Sequence, residues 1–184
     1  MIYPIVAYGD PVLKKPGKEI SKADETLPKL VADMFETMYN AHGVGLAAPQ
    51  IGLGLRLFVV DGAPLDKENL LDFKKVFVNP TIIEEFGTDW AFDEGCLSIP
   101  GVRSEIMRPE KLTLHYFDEN WKEHTEDFDG LRARIIQHEY DHIEGVLFID
   151  HVSSIKKRLI QGKLSNISKG KIDVDYKMKF PIKK

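Results

Sequence analysis

One cysteine, Cys96, is all the chain has in 184 residues. A lone cysteine excludes an intramolecular disulfide framework and points to a reducing compartment of cytoplasmic type. No apolar run approaches the roughly 20 residues that a bilayer crossing needs, so no membrane role is expected. The opening Met1 to Asp10 lacks both a basic stretch and a sustained apolar core, so it does not read as a secretory leader. No internal repeat is visible. Charge of one sign is not in strong excess either: 25 Lys and Arg stand against 29 Asp and Glu, a net −4. Sequence-specific nucleic-acid binding is not expected from such a balance.

What is present fits an ordinary globular chain, with 43% hydrophobic and 29% charged residues. The length suits a single domain over 1–184 with a genuine core. The charge is unevenly spread. From Lys156 to Lys184 there are ten Lys or Arg and two Asp, a local +8 that leaves −12 for the rest. Residues from about 166 to 184 therefore read as a basic extension. The plain reading of such an end is a solvated face.

Apolar spacing predicts a helix over Leu27 to His42, with Pro28 tolerated in the first turn and Gly43 as the stop. Leu55 to Asp61 reads as a strand, Lys75 to Phe86 as another interrupted by Pro80, and Lys111 to Phe117 as a third. Leu131 to Glu144 and Ser153 to Ser165 read as helices, and Ile172, Val174, Tyr176, Met178 and Phe180 alternate as in an edge strand. Helices near both ends with strands between them argue α+β, with antiparallel or mixed strands around a central helix.

That central helix carries the most informative stretch, His138-Glu139-Tyr140-Asp141-His142. Residues four apart on a helix stack about 6 Å apart on one face, so both rings can close on one metal ion. Glu139 sits one step round, where it reaches a metal-bound water without being a ligand. By itself the pattern also fits two unrelated surface histidines. Gly43-Val44-Gly45-Leu46-Ala47-Ala48 imitates a dinucleotide loop, but there a strand should precede and a helix follow. Here the order is inverted, and Pro49, Gly52 and Gly54 would break a helix. Two readings remain for this segment: a tight turn, or a close approach for a ligand backbone with the Gln50 amide beside it.

A catalytic site of this kind takes three protein ligands and leaves a fourth position open. Glu144 and His151 are the downstream candidates, but Gly145 ends the helix between them. Cys96 is the better third ligand, a thiolate in the extended Glu94-Gly95-Cys96-Leu97-Ser98 segment. Alone, it would read as a small buried apolar residue. Ser98 lies in no nucleophile elbow.

Together, Gly43-Val44-Gly45-Leu46-Ala47-Ala48-Pro49-Gln50, Glu94-Gly95-Cys96-Leu97-Ser98 and Gln137-His138-Glu139-Tyr140-Asp141-His142 resemble the three signature motifs of the peptide deformylases, in the family's order. Asp10-Pro11-Val12-Leu13 and Gly145-Val146-Leu147-Phe148 are similar too, so the resemblance covers roughly residues 2 to 165.

The resemblance implies a metal-dependent hydrolase that removes the N-formyl group from the initiator methionine of nascent chains and releases formate. Cys96, His138 and His142 would be the metal ligands, with water fourth. Glu139 would take a proton from that water and hand it to the departing amine. The Leu97 backbone N–H and the Gln50 amide would hold the oxyanion. Gly43, Val44 and Gly45 would form a rim that pairs with the substrate backbone. Glu94 and Arg103 would pair and shape the pocket edge. Leu131 and Ile135, on the helical face of His138, would line the methionine pocket, though core packing suits them equally. Arg132 and Arg134 receive no role.

For the cofactor the resemblance implies Fe²⁺, with Zn²⁺, Ni²⁺ or Co²⁺ substituting. It also implies ribosome contact through the basic C-terminus, and a bacterial-type cytoplasmic setting with an organelle as the other option. The rival readings are a general zinc metallopeptidase, a non-catalytic metal-binding module and a Cys-nucleophile hydrolase.

Overall fold

The apolar spacing of Leu27, Val31, Met34 and Met38 produces helix α1, Leu27–Asn40, in the computed structural model, which describes residues 1–181. The helix closes two residues before the sequence expectation, and the reason lies in its cap. His42 takes the left-handed conformation (φ 57°), its N–H bonds the Tyr39 carbonyl, and the Gly43 N–H bonds the Met38 carbonyl at 2.9 Å. This is a Schellman cap whose left-handed residue is His42 and not the glycine.

The chain then enters β2 (Gly45–Ala47), which pairs antiparallel with β3 (Leu57–Asp61), Gly45 facing Val60. β4 (Lys74–Cys96) and β5 (Ile99–Phe117) form one very long antiparallel hairpin, and β6 (Glu123–Asp129) completes a five-stranded sheet in the order β2-β3-β4-β5-β6. The sequence reading saw only the Lys75–Phe86 and Lys111–Phe117 parts of this hairpin. Its far half buries the charged Glu94 and Arg108 among the apolar Ile99, Val102 and Ile106, so a purely apolar alternation is broken there. Pro80 sits inside β4 where the register shifts between Val78 and Thr81, a bulge that tolerates a missing N–H. Asn79 at the same bulge has φ 49°, and its side chain bonds both the N–H and the carbonyl of Ile20.

Helix α2, Gly130–Ile143, lies in the curve of the sheet and is buried nearly all round, at Ala133, Ile136, Gln137, Glu139, His142 and Ile143 among others. Gly145 follows with φ 75°, and a Cβ there would come within 2.8 Å of the Lys14 backbone. The α+β architecture is therefore as expected, three helices and antiparallel strands among the described residues, with α2 at the centre.

Helix α3, Ser154–Ser168, runs three residues past the expected end. The alternating tail forms only β7, Met178–Lys179, which pairs parallel with β1, Ile5–Val6, apart from the main sheet. Pro4 and Pro181 bound this ladder, and neither has an N–H to extend it. Lys183 and Lys184 of the basic extension lie outside the described residues. No helix among the described residues is long and apolar enough to cross a membrane.

Candidate metal centre

Cys96 ends β4 while His138 and His142 stand one turn apart on α2, and the ligand atoms of the three lie within 4.8 Å of one another. Cys96 Sγ is 3.3 Å from His142 Nε2. His138 Nδ1 is 2.9 Å from Glu94 Oε2. A proton on Nδ1 shared with that carboxylate leaves Nε2 free as a ligand atom. Beside them, Glu139 Oε2 and His142 Nδ1 are buried with no hydrogen-bond partner among the described residues. A thiolate and two imidazoles with room for a fourth donor make the set of a catalytic ion, not of a closed structural one. The residues present fit a divalent metal.

Burial pushes the Cys96 thiol up, but the His142 and His138 imidazoles pull it down further, to about 5. The thiolate, the ligating form, is thereby favoured. Burial drives the Glu139 carboxyl the other way, up to about 7, against the pull of His138 and His142. A carboxyl so poised can take and return a proton near neutrality. Gly45 makes room for it: a Cβ there would stand 2.7 Å from Glu139 Cδ.

Gln50 is held by its own turn. Ala48–Ile51 form a single 3₁₀ turn, and Gln50 Oε1 accepts from the Ala47 N–H at 2.9 Å. That bond fixes which end of the amide faces the site, and Nε2 stands 3.4 Å from Cys96 Sγ and 3.5 Å from Ser98 Oγ. Leu97 and Ser98 form the two-residue turn between β4 and β5. Among the described residues nothing accepts from the Leu97 N–H, so it is a free donor next to Cys96.

Glu94 corrects one expectation. It does not pair with Arg103, which donates from Nε to Asp93 Oδ2 at 2.6 Å on the exposed face. Successive strand residues point to opposite faces, so Asp93 looks outward with Arg103 while Glu94 turns in toward α2. There its Oε1 accepts from Arg108 Nε (2.8 Å) and Arg134 Nη1 (3.0 Å), and its Oε2 from Arg108 Nη2 (3.0 Å). Burial raises the Glu94 carboxyl, but the His138 and Arg108 bonds outweigh it and hold the group well below the usual carboxylate range. Arg108 also bonds Asp141 Oδ2 at 2.8 Å, which His151 Nε2 reaches at the same distance. His151, weighed as a ligand, thus lies four hydrogen bonds behind His138, through Asp141, Arg108 and Glu94.

Sequence reasoning missed Arg108 and assigned Arg134 nothing. Arg134 did carry a signal, since it stands one turn before His138 on the same helical face. Arg108 carried none, because it lies 14 residues from Glu94 and is brought there only by the sheet.

A cavity of about 470 Å³ opens beside the metal group. Gly43, Val44, Gly45, Gln50, Glu94, Leu97, Arg103, Ile135 and Glu139 line it together with Cys96 and His138. Leu131 does not line it. Two turns before His138, it packs instead on the core between the sheet and α2. Tyr176, from the C-terminal segment, lines the cavity and was not foreseen as part of the site.

The sequence profile described as polypeptide deformylase matches residues 2–158. A peptide deformylase of Cytophaga hutchinsonii is 64% identical over 184 residues, covering all of both chains. A second, from Christiangramia forsetii, is 60% identical, covering 98% of this chain and 97% of its own. Among solved structures, a peptide deformylase from Legionella pneumophila is 41% identical with a TM-score of 0.82, covering 93% of this chain and 98% of that one.

Proposed function

The chain belongs to the polypeptide deformylase family, and we propose that Cys96, His138 and His142 hold its divalent metal while Glu139, Gln50 and the Leu97 N–H act on the formyl group. Removal of formyl from nascent peptides is the activity of this family, and the chain is a hydrolase of that class. The observation that carries the residue assignment is the meeting of Cys96, His138 and His142, the first two lining one cavity, with an unpartnered buried carboxylate beside them.

A bound divalent ion supplies Lewis acidity and lowers the pKa of water in its open position. The Glu139 carboxylate takes the proton of the attacking water and later returns it to the amine nitrogen as the formyl C–N bond breaks. Gln50 Nε2, aimed by the Ala47 bond, and the Leu97 N–H donate to the oxygen on which charge develops; each such donor is typically worth roughly 3–4 kcal/mol. The methionine side chain enters the apolar part of the cavity by Ile135. The substrate backbone runs along Gly43–Gly45, and Glu94 and Arg103 shape the inner and outer walls.

Ferrous iron is the resident ion in this reading, on the family resemblance, and zinc, nickel or cobalt can replace it because a thiolate and two imidazoles suit each. The reading takes 1–184 as one catalytic domain and places it in the cytoplasm, which the lone free cysteine supports. The deciding assay compares release of formate from a formyl-Met peptide with hydrolysis of its unblocked and internal bonds, with and without a chelator. Formate release alone, lost on chelation and restored more fully by anaerobic Fe²⁺ than by Zn²⁺, is the expected result. Internal cleavage would replace the reading with the metallopeptidase alternative, and chelator resistance would favour the cysteine nucleophile.

Ribosome contact through the basic C-terminal part is the finer proposal about partners. Exposed Ile155 and Leu159 share one face of α3, flanked by Lys156 and Arg158 with Lys157 round the helix, a surface suited to RNA and protein together. Reversing Lys156, Lys157 and Arg158 to Glu is expected to abolish salt-sensitive co-sedimentation with ribosomes while formate release persists. Unchanged sedimentation would remove this partner.

A further inference from the structure

The Lys-rich C-terminal segment does not run free but returns to the cavity. The Ile5 N–H bonds the Lys177 carbonyl and the Ala7 N–H the Lys179 carbonyl, both at 2.8 Å. Two glycines seat the segment closely. A Cβ on Gly9 would come within 3.2 Å of Pro181 Cγ, and one on Gly170 within 3.3 Å of the Phe180 ring. Just before this ladder stands Tyr176, half-buried with Leu97 against the core that holds Met38 and Leu46, with its hydroxyl 2.8 Å from the Leu97 carbonyl. Burial, and then the charges of Cys96 and Asp175, push that hydroxyl up, which keeps it a donor. From the N-terminal side the Tyr8 N–H holds the Ser98 carbonyl at 2.9 Å. Both carbonyls of the turn after Cys96 are thus held by the two terminal segments, and the β1–β7 ladder ties those segments to each other.

We propose that Tyr176 is a positioning residue of the active site, tying the Leu97 carbonyl and thereby aiming the Leu97 N–H into the cavity. This rests on the reading of that N–H as a donor to the developing oxyanion. The N–H and the carbonyl of Leu97 flank one Cα. Cys96 and its ladder partner Ile99 fix the turn on one side, and the tyrosine hydroxyl fixes it on the other. Nothing else among the described residues bonds the Leu97 N–H, so its direction depends on these anchors. An oxyanion donor works only when its geometry is set before charge develops.

The test is Tyr176→Phe in the full metal-loaded chain, which keeps the ring and its packing and removes the hydroxyl. The expected result is a kcat for a formyl-Met peptide lowered roughly five- to ten-fold, the worth of about one hydrogen bond, at nearly unchanged KM. Bound metal and melting temperature stay as in the parent. In the zinc-loaded protein, the Leu97 amide is expected to exchange its hydrogen several-fold faster by NMR, while amides of α2 do not change. If kcat and Leu97 exchange both match the parent, Tyr176 positions nothing and the inference falls alone. Faster Leu97 exchange with unchanged kcat would show that the tyrosine holds the turn but that the Leu97 N–H is no oxyanion donor, which overturns the underlying reading as well. A fall in kcat matched by equal loss of metal or of melting temperature would reduce Tyr176 to a structural support.

Discussion

Glu139→Gln is expected to lower kcat/KM for a formyl-Met peptide by roughly a thousand-fold, within the range usual for loss of a positioned general acid–base. Bound metal and melting temperature should not change. The amide nearly matches the carboxylate in shape, so it fits the space that the missing Cβ of Gly45 leaves. It cannot take a proton from water or return one to a leaving amine. Glu139 Oε2 has no partner among the described residues, so the substitution breaks no ion pair and the loss reads as chemistry. Steady-state kinetics with metal analysis on the same samples checks it. Activity within about ten-fold of the parent would remove Glu139 from the proton path, since general acid–base catalysis is worth more than that.

This part of the site was legible because it is local. A four-residue spacing on a helix places His138 and His142 together whatever the rest of the fold does, and Glu139 follows from the same geometry. Cys96 and Gln50 are far apart in sequence; ligand chemistry offered Cys96 as the third ligand, and the matching of three motifs tied both residues to the helix. The structure brings them to 3.4 Å through the pairing of β2–β3–β4 and one bond from the Ala47 N–H.

What sequence left hidden depends on long-range register. Glu94 and Arg103 stand nine positions apart and look like a natural pair across a turn. Strand alternation sends them to opposite faces, and Arg103 meets Asp93 instead. Arg108 and Arg134 come to Glu94 from β5 and α2, which no spacing rule connects. Tyr176 was hidden for a different reason. Its alternating segment read as an edge strand, but alternation cannot say which edge it joins, and it joined β1 beside the active site. The far half of the β4–β5 hairpin sets charged Glu94 and Arg108 at buried positions beside Val102 and Ile106, which broke the apolar alternation in the very part that delivers Glu94 and Cys96.

Glu94→Gln is expected to lower stability by about 3–5 kcal/mol, the usual cost of removing one partner from a buried ion pair. For a chain of this length that corresponds to a melting temperature lower by roughly 6–20 °C. The side chains of Glu94, Arg108 and Arg134 are 3%, 7% and 2% exposed, so water cannot replace the lost charge. Asp141 still partners Arg108, which places the expected loss toward the lower end of the range. Among the described residues Arg134 pairs with no second carboxylate; it keeps the Trp90 and Ile106 carbonyls and the Trp90 ring, 4.5 Å from its guanidinium. His138 loses the carboxylate that orients its ring, and loss of such a partner typically weakens metal binding by about 10–100-fold.

Asp93→Asn supplies the contrast on the other face of the same strand. Its pair with Arg103 is about 60% exposed on both sides, so the change should stay under about 1 kcal/mol. Thermal melts and metal titrations of both variants decide the matter. Equal shifts for the two would mean that Glu94 is not the buried hub between the metal helix and the sheet. A large shift for Glu94 alone, with weakened metal binding, would mean that the carboxylate one residue from the outward pair supports the fold and the His138 ligand together.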